Sequence, residues 1–419
     1  MSNQSQTAAD FSLAHYSGDR ASGVIVIVDR RGGHTSIEPI ESLPDSGLDK
    51  ALKPIFIGLT EAHQVIVMDP REKRLSVQSG FPVDAFAAHI YSDPNSARDW
   101  FMNDGDKATG NDTLNCGDKG SSVTVVENTA SPDARFLKTL CVGRGHHQAA
   151  FGFPSAQAPK VPHRAYISNL KDGTITVIGN DPDDAATFLE VVATINLCEP
   201  DKEEGGAVTV PNNAFPHGLA YSSQSGKLYN LNNGYGTIAV IDPVTNEIEQ
   251  RIPFKGHSNL LVTPDGRYLI GRGADRKSDA NHVFANLSVF DALSGKITDA
   301  IKIPDVYISK YYFNADGSKL YLTTSSSGSP EQQANLKSDA LLIFDLAALP
   351  KLKVADELRL GSSSGSLAFL NRDGVTELVF SSNSEDGSVA VISGVDDTIL
   401  ETIAVGPSQP HSRIWMVGD

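Results

Sequence analysis

The sequence predicts an all-β protein, a single β-propeller of four-stranded blades closed by its own C-terminal strand. Three observations support this prediction. Segments along the chain repeat one order of short strands and turns, the 36 Gly and 22 Pro suit those turns, and the two chain ends complete one blade. A chain of 419 residues would ordinarily be divided into two or three domains, but an internal repeat overrides that expectation. We therefore expect one domain over residues 1–419.

Each repeat unit contains a small apolar strand, a strand bearing Tyr or Leu, an alternating Val/Ile strand that often ends in Asp, and a fourth strand. The clearest unit begins at Pro216 and reads HGLAYSS, KLYNLNN, TIAVIDP and IEQRIPF. Alternation of this kind is typical of half-buried strands in stacked sheets. Six units follow residue 83 and two strand pairs precede it, which predicts eight blades, or seven if the N-terminal pairs merge.

The chain ends are predicted to close the ring. Residues 409–419 contain HSRIWMV, which has the register of a first strand with no strand after it. The N-terminal unit has FSLAHYS and later strands but no first strand, so the two ends complete one blade. Closure of this kind removes the free sheet edges. Residues 1–10 are polar and are expected to be disordered.

An insertion rich in Asp, Asn and Gly occupies residues 99–122, between two strands. Its carboxylates at Asp104, Asp106 and Asp112 lack the spacing of an EF-hand calcium loop. We expect a long loop over one mouth of the central channel, where it would act as a lid.

Composition restricts the partners. The net charge of −16 makes nucleic acid and anionic membranes poor partners, and no run of about 18 apolar residues offers a membrane span. The N-terminus lacks a secretory signal, so we expect a cytoplasmic protein or a periplasmic one whose leader has been removed. The three cysteines, Cys116, Cys141 and Cys198, show no CxxC spacing and are predicted to be small buried hydrophobes instead of disulfide, zinc or covalent haem ligands.

Histidines recur at one position of the repeat. The first strand of each propeller blade lines the central channel, so equivalent first-strand positions form a ring. His217 and His257 each lie nine residues before the glycine of the blade turn; His147 and His411 share the register, and His146 is adjacent. Eight such positions would hold about 0.2 histidines by chance, given 11 in 419 residues. Converging neutral imidazoles suit copper, iron or zinc, although these histidines are equally compatible with hydrogen bonds to water in a wet channel.

Other side chains lie near this ring. Arg144 precedes the ring position of its blade, Arg413 follows that of the terminal strand, and Lys310 lies just inside that of another blade. These cations are candidates to hold a small anion by charge-assisted hydrogen bonds. His89 lies on a first strand but three positions out of register, so it joins the ring only if the strand contains a bulge. The segment GRGAD at Gly271 is interpreted as a turn at a strand end.

The segments LYNLNNGYGTIAVIDPVTNEIEQRIPF and AYISNLKDGTITVIGN resemble the repeats of YVTN-type β-propellers, a superfamily similar in architecture to the cytochrome d1 haem domain. The resemblance covers most of the chain. It implies the fold, whereas members of such folds include electron-transfer enzymes, lactonases and binding scaffolds. A second resemblance, which rests on the histidines, is to copper-bearing propellers such as thiocyanate dehydrogenase and nitrous oxide reductase.

The function predicted first is a metal-dependent oxidoreductase, with copper as the metal, that acts on a small polar or anionic substrate. The predicted metal ligands are His89, His146, His147, His217, His257 and His411, and the predicted catalytic residues are Arg144, Lys310 and Arg413. One alternative is a protein that binds iron in a d1-type haem, with one ring histidine as axial ligand. Another is a non-catalytic propeller that binds a ligand or a protein. A redox partner protein is also expected, but no nucleic acid and no membrane.

Overall fold

The structure is a computed structural model, and it describes most of the chain after residue 85. The described residues are 12–18, 23–29, 34–39, 55–59, 64–69, 74–77, 86–104, 116, 120–127, 135–361, 363–383, 386–405 and 413–416. The predicted disorder of residues 1–10 lies outside them.

Within these ranges the strands form eight antiparallel sheets, which we number I to VIII along the chain. Sheets I to III contain β1 Ser12–Gly18, β2 Gly23–Asp29, β3 His34–Pro39, β4 Ile55–Leu59, β5 Gln64–Asp69, β6 Arg74–Val77, β7 Phe86–Ser92, β8 Arg98–Asp104, β9 Ser121–Glu127 and β10 Arg135–Val142. Sheets IV and V contain β11 His146–Gly152, β12 Arg164–Asn169, β13 Thr174–Gly179, β14 Val191–Asn196, β15 Pro216–Ser222, β16 Lys227–Asn232, β17 Thr237–Asp242 and β18 Glu247–Pro253.

The remaining sheets continue the same pattern. Sheets VI to VIII contain β19 Asn259–Val262, β20 Tyr268–Asp275, β21 Phe284–Asp291, β22 Lys296–Pro304, β23 Ile308–Phe313, β24 Lys319–Thr324, β25 Ala340–Asp345, β26 Val354–Arg359, β27 Ser364–Arg372, β28 Val375–Asn383, β29 Ser388–Ser393 and β30 Ile399–Ala404. The last strand, β31 Arg413–Met416, belongs to sheet I. The helical segments are short: α1 Pro330–Gln333 and 3₁₀ turns at Pro200–Lys202, Glu204–Gly206 and Leu346–Ala348. None of the helices in the described ranges is both long and apolar enough to cross a bilayer.

This architecture confirms the predicted all-β propeller. Seven sheets have four strands, whereas sheet II has three, so the number of blades stays a prediction. Ring closure is confirmed, because β31 pairs antiparallel with β1 in the register that joins Leu13 to Met416 and Tyr16 to Arg413. Within the predicted range 409–419, the described residues of the closing strand are Arg413–Met416.

Turn chemistry explains why the repeat folds into these hairpins. The glycines nine residues after His217 and His257 have positive φ, 65° for Gly226 and 74° for Gly266, a conformation that L side chains rarely adopt. The Asp that ends the third strand forms the next turn. Asp242, Asp291 and Asp345 each accept the backbone N–H two residues further on, at 2.7, 2.9 and 2.9 Å.

The hydrophobic core lies between the faces of neighbouring sheets. In the cluster between sheets IV and V, Tyr166, Val177, Leu219 and Ala239 are each at most 2% exposed. Equivalent clusters lie between sheets III and IV, V and VI, VI and VII, and VII and VIII. Sheets IV to VII are therefore buried on both faces, which explains why apolar residues dominate their inner strands.

Polar bonds at one end of the second strands fix each sheet against the next. The third residue of β12, β16 and β24 is a tyrosine whose hydroxyl reaches the turn after the third strand of the following sheet. These bonds join Tyr166 to the Pro243 carbonyl at 3.4 Å, Tyr229 to the Ala292 carbonyl at 3.2 Å and Tyr321 to the Asp397 carboxylate at 3.3 Å. In sheet III, Arg98 at the start of β8 donates to the Asn180 carbonyl at 2.9 Å. We call these contacts the inter-sheet latches.

The insertion is shorter than predicted. Asp99 to Asp104 continue β8, and Ser121 and Ser122 begin β9, so only the residues between these strands form the connection. The buried alternation of WFM and SVTVV explains why both ends are strands, since Trp100, Met102, Val123 and Val125 are fully buried. The proposed lid itself lies mostly outside the described residues.

The cysteine prediction was wrong for two of the three residues. Cys116 of the insertion forms a disulfide with Cys141 of β10, and their Cα atoms are 5.2 Å apart. The hairpin of β9 and β10 brings the two sulfurs together, although they are 25 residues apart in sequence. Cys198 is free and buried, as predicted.

The closing strand gives a first prediction. Deletion of residues 409–419 removes the partner of β1 and leaves an unpaired edge, so we expect a lower thermal midpoint and concentration-dependent aggregation. Thermal unfolding and size-exclusion chromatography measure the two effects. Deletion of residues 1–9, which precede β1, is the control. A monomeric 409–419 deletion variant with the parent's midpoint would contradict closure.

The disulfide gives a second prediction. Cys116→Ser should lower the free energy of unfolding by about 3 kcal/mol, since the bond closes a loop of this length in the unfolded chain. Chemical denaturation measures the loss, and a reducing agent should destabilise the parent but not the variant. Alkylation of the unreduced, denatured parent should label one cysteine of three. Labelling of all three would show that the bond does not form.

Candidate functional site

The first strands bulge near the channel end where the histidine ring was predicted. The pairing register shifts between His146 and Ala149 in sheet IV and between Pro216 and Gly218 in sheet V. Similar shifts begin at Ile308 in sheet VII and at Ser364 in sheet VIII. Bulges re-aim side chains and are frequent next to functional sites. The predicted ring positions therefore fall on or beside irregular backbone.

Buried hydroxyls hold three of these bulges open. The backbone N–H groups of Gln148, Lys310 and Ser366 lie inside the bulges and cannot bond to the neighbouring strand. They donate instead to the side chains of Ser168 at 3.0 Å, Thr323 at 3.1 Å and Ser382 at 2.9 Å. Each hydroxyl lies on the second strand opposite the bulge and is fully or almost fully buried. Each bond gives a partner to a backbone N–H that would otherwise be buried and unpaired. The sequence therefore encodes these bulges.

His89 lies next to a bulge. The register of β7 against β8 shifts by one residue between Ala87 and His89, whereas His89 is three positions away from the ring register, so its place in the ring stays a prediction. The pKa of His217 is sensitive to the charges of Arg272 and His89. His217 and His89 come from sheets V and III, so the two imidazoles are coupled electrostatically between sheets.

His217 is a neutral base in this setting. Burial first, and then the charges of Arg272 and His89, lower its pKa from 6.5 to about 4. A hydrogen bond with the backbone of Ser258, just before β19, raises the pKa of His217, but by less than burial lowers it. At neutral pH the ring therefore keeps a lone pair that can bind a metal or accept a proton.

Arg272 is a site residue that the sequence analysis missed. The segment GRGAD is not a turn: Gly271 to Asp275 lie within β20. The Arg272 Nη1 donates to the Ile308 carbonyl at 3.0 Å, and the guanidinium lies 5.6 Å from the ring centroid of Tyr311. Its buried Nε meets no hydrogen-bond partner in the described ranges. A buried cation with an open donor is suited to an anionic ligand.

Two tyrosines respond to the charges at this end of the protein. Tyr311 of β23 lies beside Arg272. Burial raises the pKa of Tyr311, and the charge of Arg272 opposes that shift. The pKa of Tyr91, on β7, is raised first by burial and then by the charge of Tyr311. Both phenols therefore stay protonated at neutral pH.

His257 has different surroundings from His217. Its ring stacks on Phe254, with 4.1 Å between the centroids and 25° between the planes. A Cβ atom on Gly271 would lie 3.1 Å from its Cδ2 and would collide with Phe254, so the glycine in GRG makes room for this pair. Burial lowers the pKa of His257 to about 4, although the backbone of Lys255 and Phe254 opposes the shift. Neither ring nitrogen meets a hydrogen-bond partner in the described part of the chain.

The three predicted cations have different surroundings in the structure. Arg144 is engaged by Asp172, which accepts from its Nε at 2.7 Å and from its backbone N–H at 2.8 Å. Lys310 lies in the bulge of β23, as its position just inside the ring implied. Arg413 begins β31, but its side chain lies outside the described residues.

The predicted multi-histidine cluster is not assembled from the described side chains. In these residues no three His, Cys, Asp or Glu side chains converge to hold a metal ion. His146 and His147 are described only as backbone of β11, and His411 lies outside the described residues altogether. The site that the structure brings together is thus His217, His89, Arg272, Tyr91 and Tyr311, which we call the channel cluster. No local sequence pattern predicts it, because its members come from four sheets.

Comparisons with known proteins agree on the fold. No family model and no curated protein matches the sequence. Solved structures do match. Dihydro-heme d1 dehydrogenase NirN in complex with DHE has a TM-score of 0.59 and 13% identity, over 99% of this chain and 77% of that one. The periplasmic gluconolactonase PpgL of Pseudomonas aeruginosa has a TM-score of 0.54 and 12% identity, over 98% and 100% of the two chains.

Hydrazine synthase of Kuenenia stuttgartiensis is a third similar structure, with a TM-score of 0.50 and 15% identity over 80% of this chain and 90% of that one. At these identities the likeness concerns architecture alone. The chain is therefore a β-propeller, and its neighbours of known structure include propeller enzymes.

Proposed function

We propose that this propeller is an oxidoreductase that binds a redox-active metal centre at the channel cluster, and that this centre is an iron tetrapyrrole bearing carboxylates. One observation carries the proposal. A neutral imidazole, His217, lies within electrostatic reach of a buried guanidinium, Arg272, whose Nε has no partner in the described ranges. The pair combines a metal ligand with a carboxylate donor.

The residues fit such a group. A tetrapyrrole would supply its own nitrogens to an iron, so the single imidazole of His217 would be enough to hold the metal. Its carboxylates would need cationic and hydroxyl donors, which Arg272 and Tyr311 would provide. When bound, the group would supply electron transfer, while the chain's own residues would hold and orient it. Lys310 would attract a small polar or anionic substrate, and a redox partner protein would complete the cycle.

The similar structures support the same choice. One of them is a dihydro-heme d1 dehydrogenase in complex with DHE, and the alignment with it covers 99% of this chain. This likeness is one of fold, so the support for the proposal comes first from the channel cluster.

Copper is the second candidate. The observation that favours it is the approach of His217 and His89, together with the bulge that gives His147 a comparable position on β11. A copper site built from protein ligands alone needs several nitrogens. It therefore depends on His146, His147 or His411 in addition to His217.

Reconstitution with haemin tests the first candidate. We expect the purified protein to bind haemin saturably and His217→Ala to change the visible spectrum of the bound state, because the axial nitrogen is lost. Arg272→Gln should raise the dissociation constant about tenfold, and Arg272→Lys should raise it less because it keeps the charge. Absorbance titration measures both effects.

His282→Ala is the matched control, since His282 pairs with Asp305 at 2.7 Å on another loop and should bind haemin like the parent. Dialysis against copper followed by elemental analysis separates the candidates. Copper retention that depends on His217, without haemin binding, would select copper. If the protein retains neither, or if His282→Ala loses as much as His217→Ala, the oxidoreductase proposal fails and a non-catalytic binding propeller replaces it.

The depressed pKa values predict acid sensitivity. His217 and His257 are neutral in the folded protein down to about pH 4 but titrate near 6.5 when unfolded. The unfolded chain therefore binds more protons between these values, and stability falls as the pH falls from 6.5 towards 4. Between pH 7 and pH 5 the loss should be at most about 2 kcal/mol per histidine.

Chemical denaturation of the cofactor-free protein at both pH values measures this loss. The double variant His217→Gln/His257→Gln should lose less stability over the same interval. An equal loss in the parent and the double variant would show that other groups cause it.

A further inference from the structure

A groove in sheet VI, separate from the channel cluster, has the features of a second binding site. Its volume is about 570 Å³. It lies between the linker that enters β19 and the ends of β20, β21 and β22. The residues that line it are Lys255, Gly256, His257, Ala274, Asp275, Arg276, Lys277, Asn286, Leu287, Ser288, Ala300, Ile301 and Lys302. We call it the basic groove.

The charge of the basic groove opposes that of the protein. Its lining contains four cations, Lys255, Arg276, Lys277 and Lys302, and a single anion, Asp275. The whole chain carries a net charge of −16. Lys302 bonds to Asp275 at 3.4 Å but remains 63% exposed, so this pair leaves the groove strongly positive. In an acidic protein such a local excess of cations attracts anions selectively.

Unpaired buried groups lie beside these cations. Neither ring nitrogen of His257 has a partner in the described ranges, and the Asn286 Oδ1 is likewise buried and unpaired. The Asn286 Nδ2 donates to the Gly256 carbonyl at 3.0 Å, which leaves the Oδ1 as an acceptor. A neutral imidazole offers one donor and one acceptor. Buried polar atoms without partners are costly, so these atoms are matched to hydrogen-bonding groups on a ligand.

We propose that the basic groove binds a small organic anion that carries hydroxyl groups beside a carboxylate or phosphate. The cations hold the anionic group. The hydroxyls, which both donate and accept, satisfy His257 and Asn286. Ala274, Ala300 and Ile301 supply apolar wall for the carbon skeleton. The volume is in the range of small-molecule sites, and the overall negative charge disfavours a long polyanion such as nucleic acid.

Isothermal titration calorimetry tests this proposal with two probes, glucose 6-phosphate and glucuronate, which present phosphate and carboxylate separately. We expect saturable binding of at least one probe, weakened by added salt. Lys255→Ala/Lys302→Ala should raise the dissociation constant of that probe about tenfold, because it removes two charge-assisted contacts. Glucose, which lacks the charge, and inorganic phosphate, which lacks the hydroxylated skeleton, should bind more weakly than the probe.

The matched control is Lys296→Ala/Lys353→Ala, which removes the same charge from exposed lysines outside the groove and should leave affinity unchanged. The proposal is overturned if neither probe binds saturably, if the control variant weakens binding as much as the groove variant, or if inorganic phosphate binds as tightly as glucose 6-phosphate. The variants leave His217 and Arg272 intact, so the result does not depend on the function proposed for the channel cluster.

Discussion

The inter-sheet latches are the interaction on which the geometry of the ring depends. Apolar contacts between flat sheets are non-directional and would tolerate sliding, whereas a hydroxyl bonded to one carbonyl fixes the offset between two sheets. Tyr166, Tyr229 and Tyr321 make such bonds from equivalent positions. Because each bond sets the position of the next sheet, the first-strand ends of the sheets that it joins lie in a fixed relation. Tyr229 fixes sheet V, which carries His217, against sheet VI, and the bond from Arg272 to the Ile308 carbonyl joins sheet VI to sheet VII.

Two kinds of buried polar group are therefore present, and they have different roles. Ser168, Thr323 and Ser382 are saturated by the bulges opposite them and belong to the scaffold. The Nε of Arg272 and the ring of His257 are buried without partners in the described ranges. Burying a polar atom without a hydrogen-bond partner raises the free energy of the folded state. Such atoms therefore mark positions where a bound ligand would supply the missing partner.

The fold and its closure could be predicted because both depend on local pattern. The sequence itself shows the alternation of apolar residues in the strands, turn glycines such as Gly226 and the incomplete terminal strand. The bulge beside His89 was a condition for its inclusion in the ring, and a one-residue bulge does not cover an offset of three positions. The channel cluster could not be predicted, since Tyr91 and Tyr311 are brought together only by ring closure. Arg272 was misread because glycines on either side of it suggest a turn, whereas Gly271 makes room for Phe254 and His257.

The bulges of the first strands have a consequence for how such a protein can change over evolution. Their backbone is held by Ser168, Thr323 and Ser382 on the second strands, so the bulges do not depend on one residue type at the ring position. Residues as different as His147, Lys310 and Gly365 occupy them. The first-strand ends around the channel can therefore change their side chains one blade at a time, while the hydrophobic clusters between the sheets stay the same. Because these positions are independent of the hydrophobic core, propellers with closely similar folds would be able to acquire unrelated catalytic residues by single substitutions.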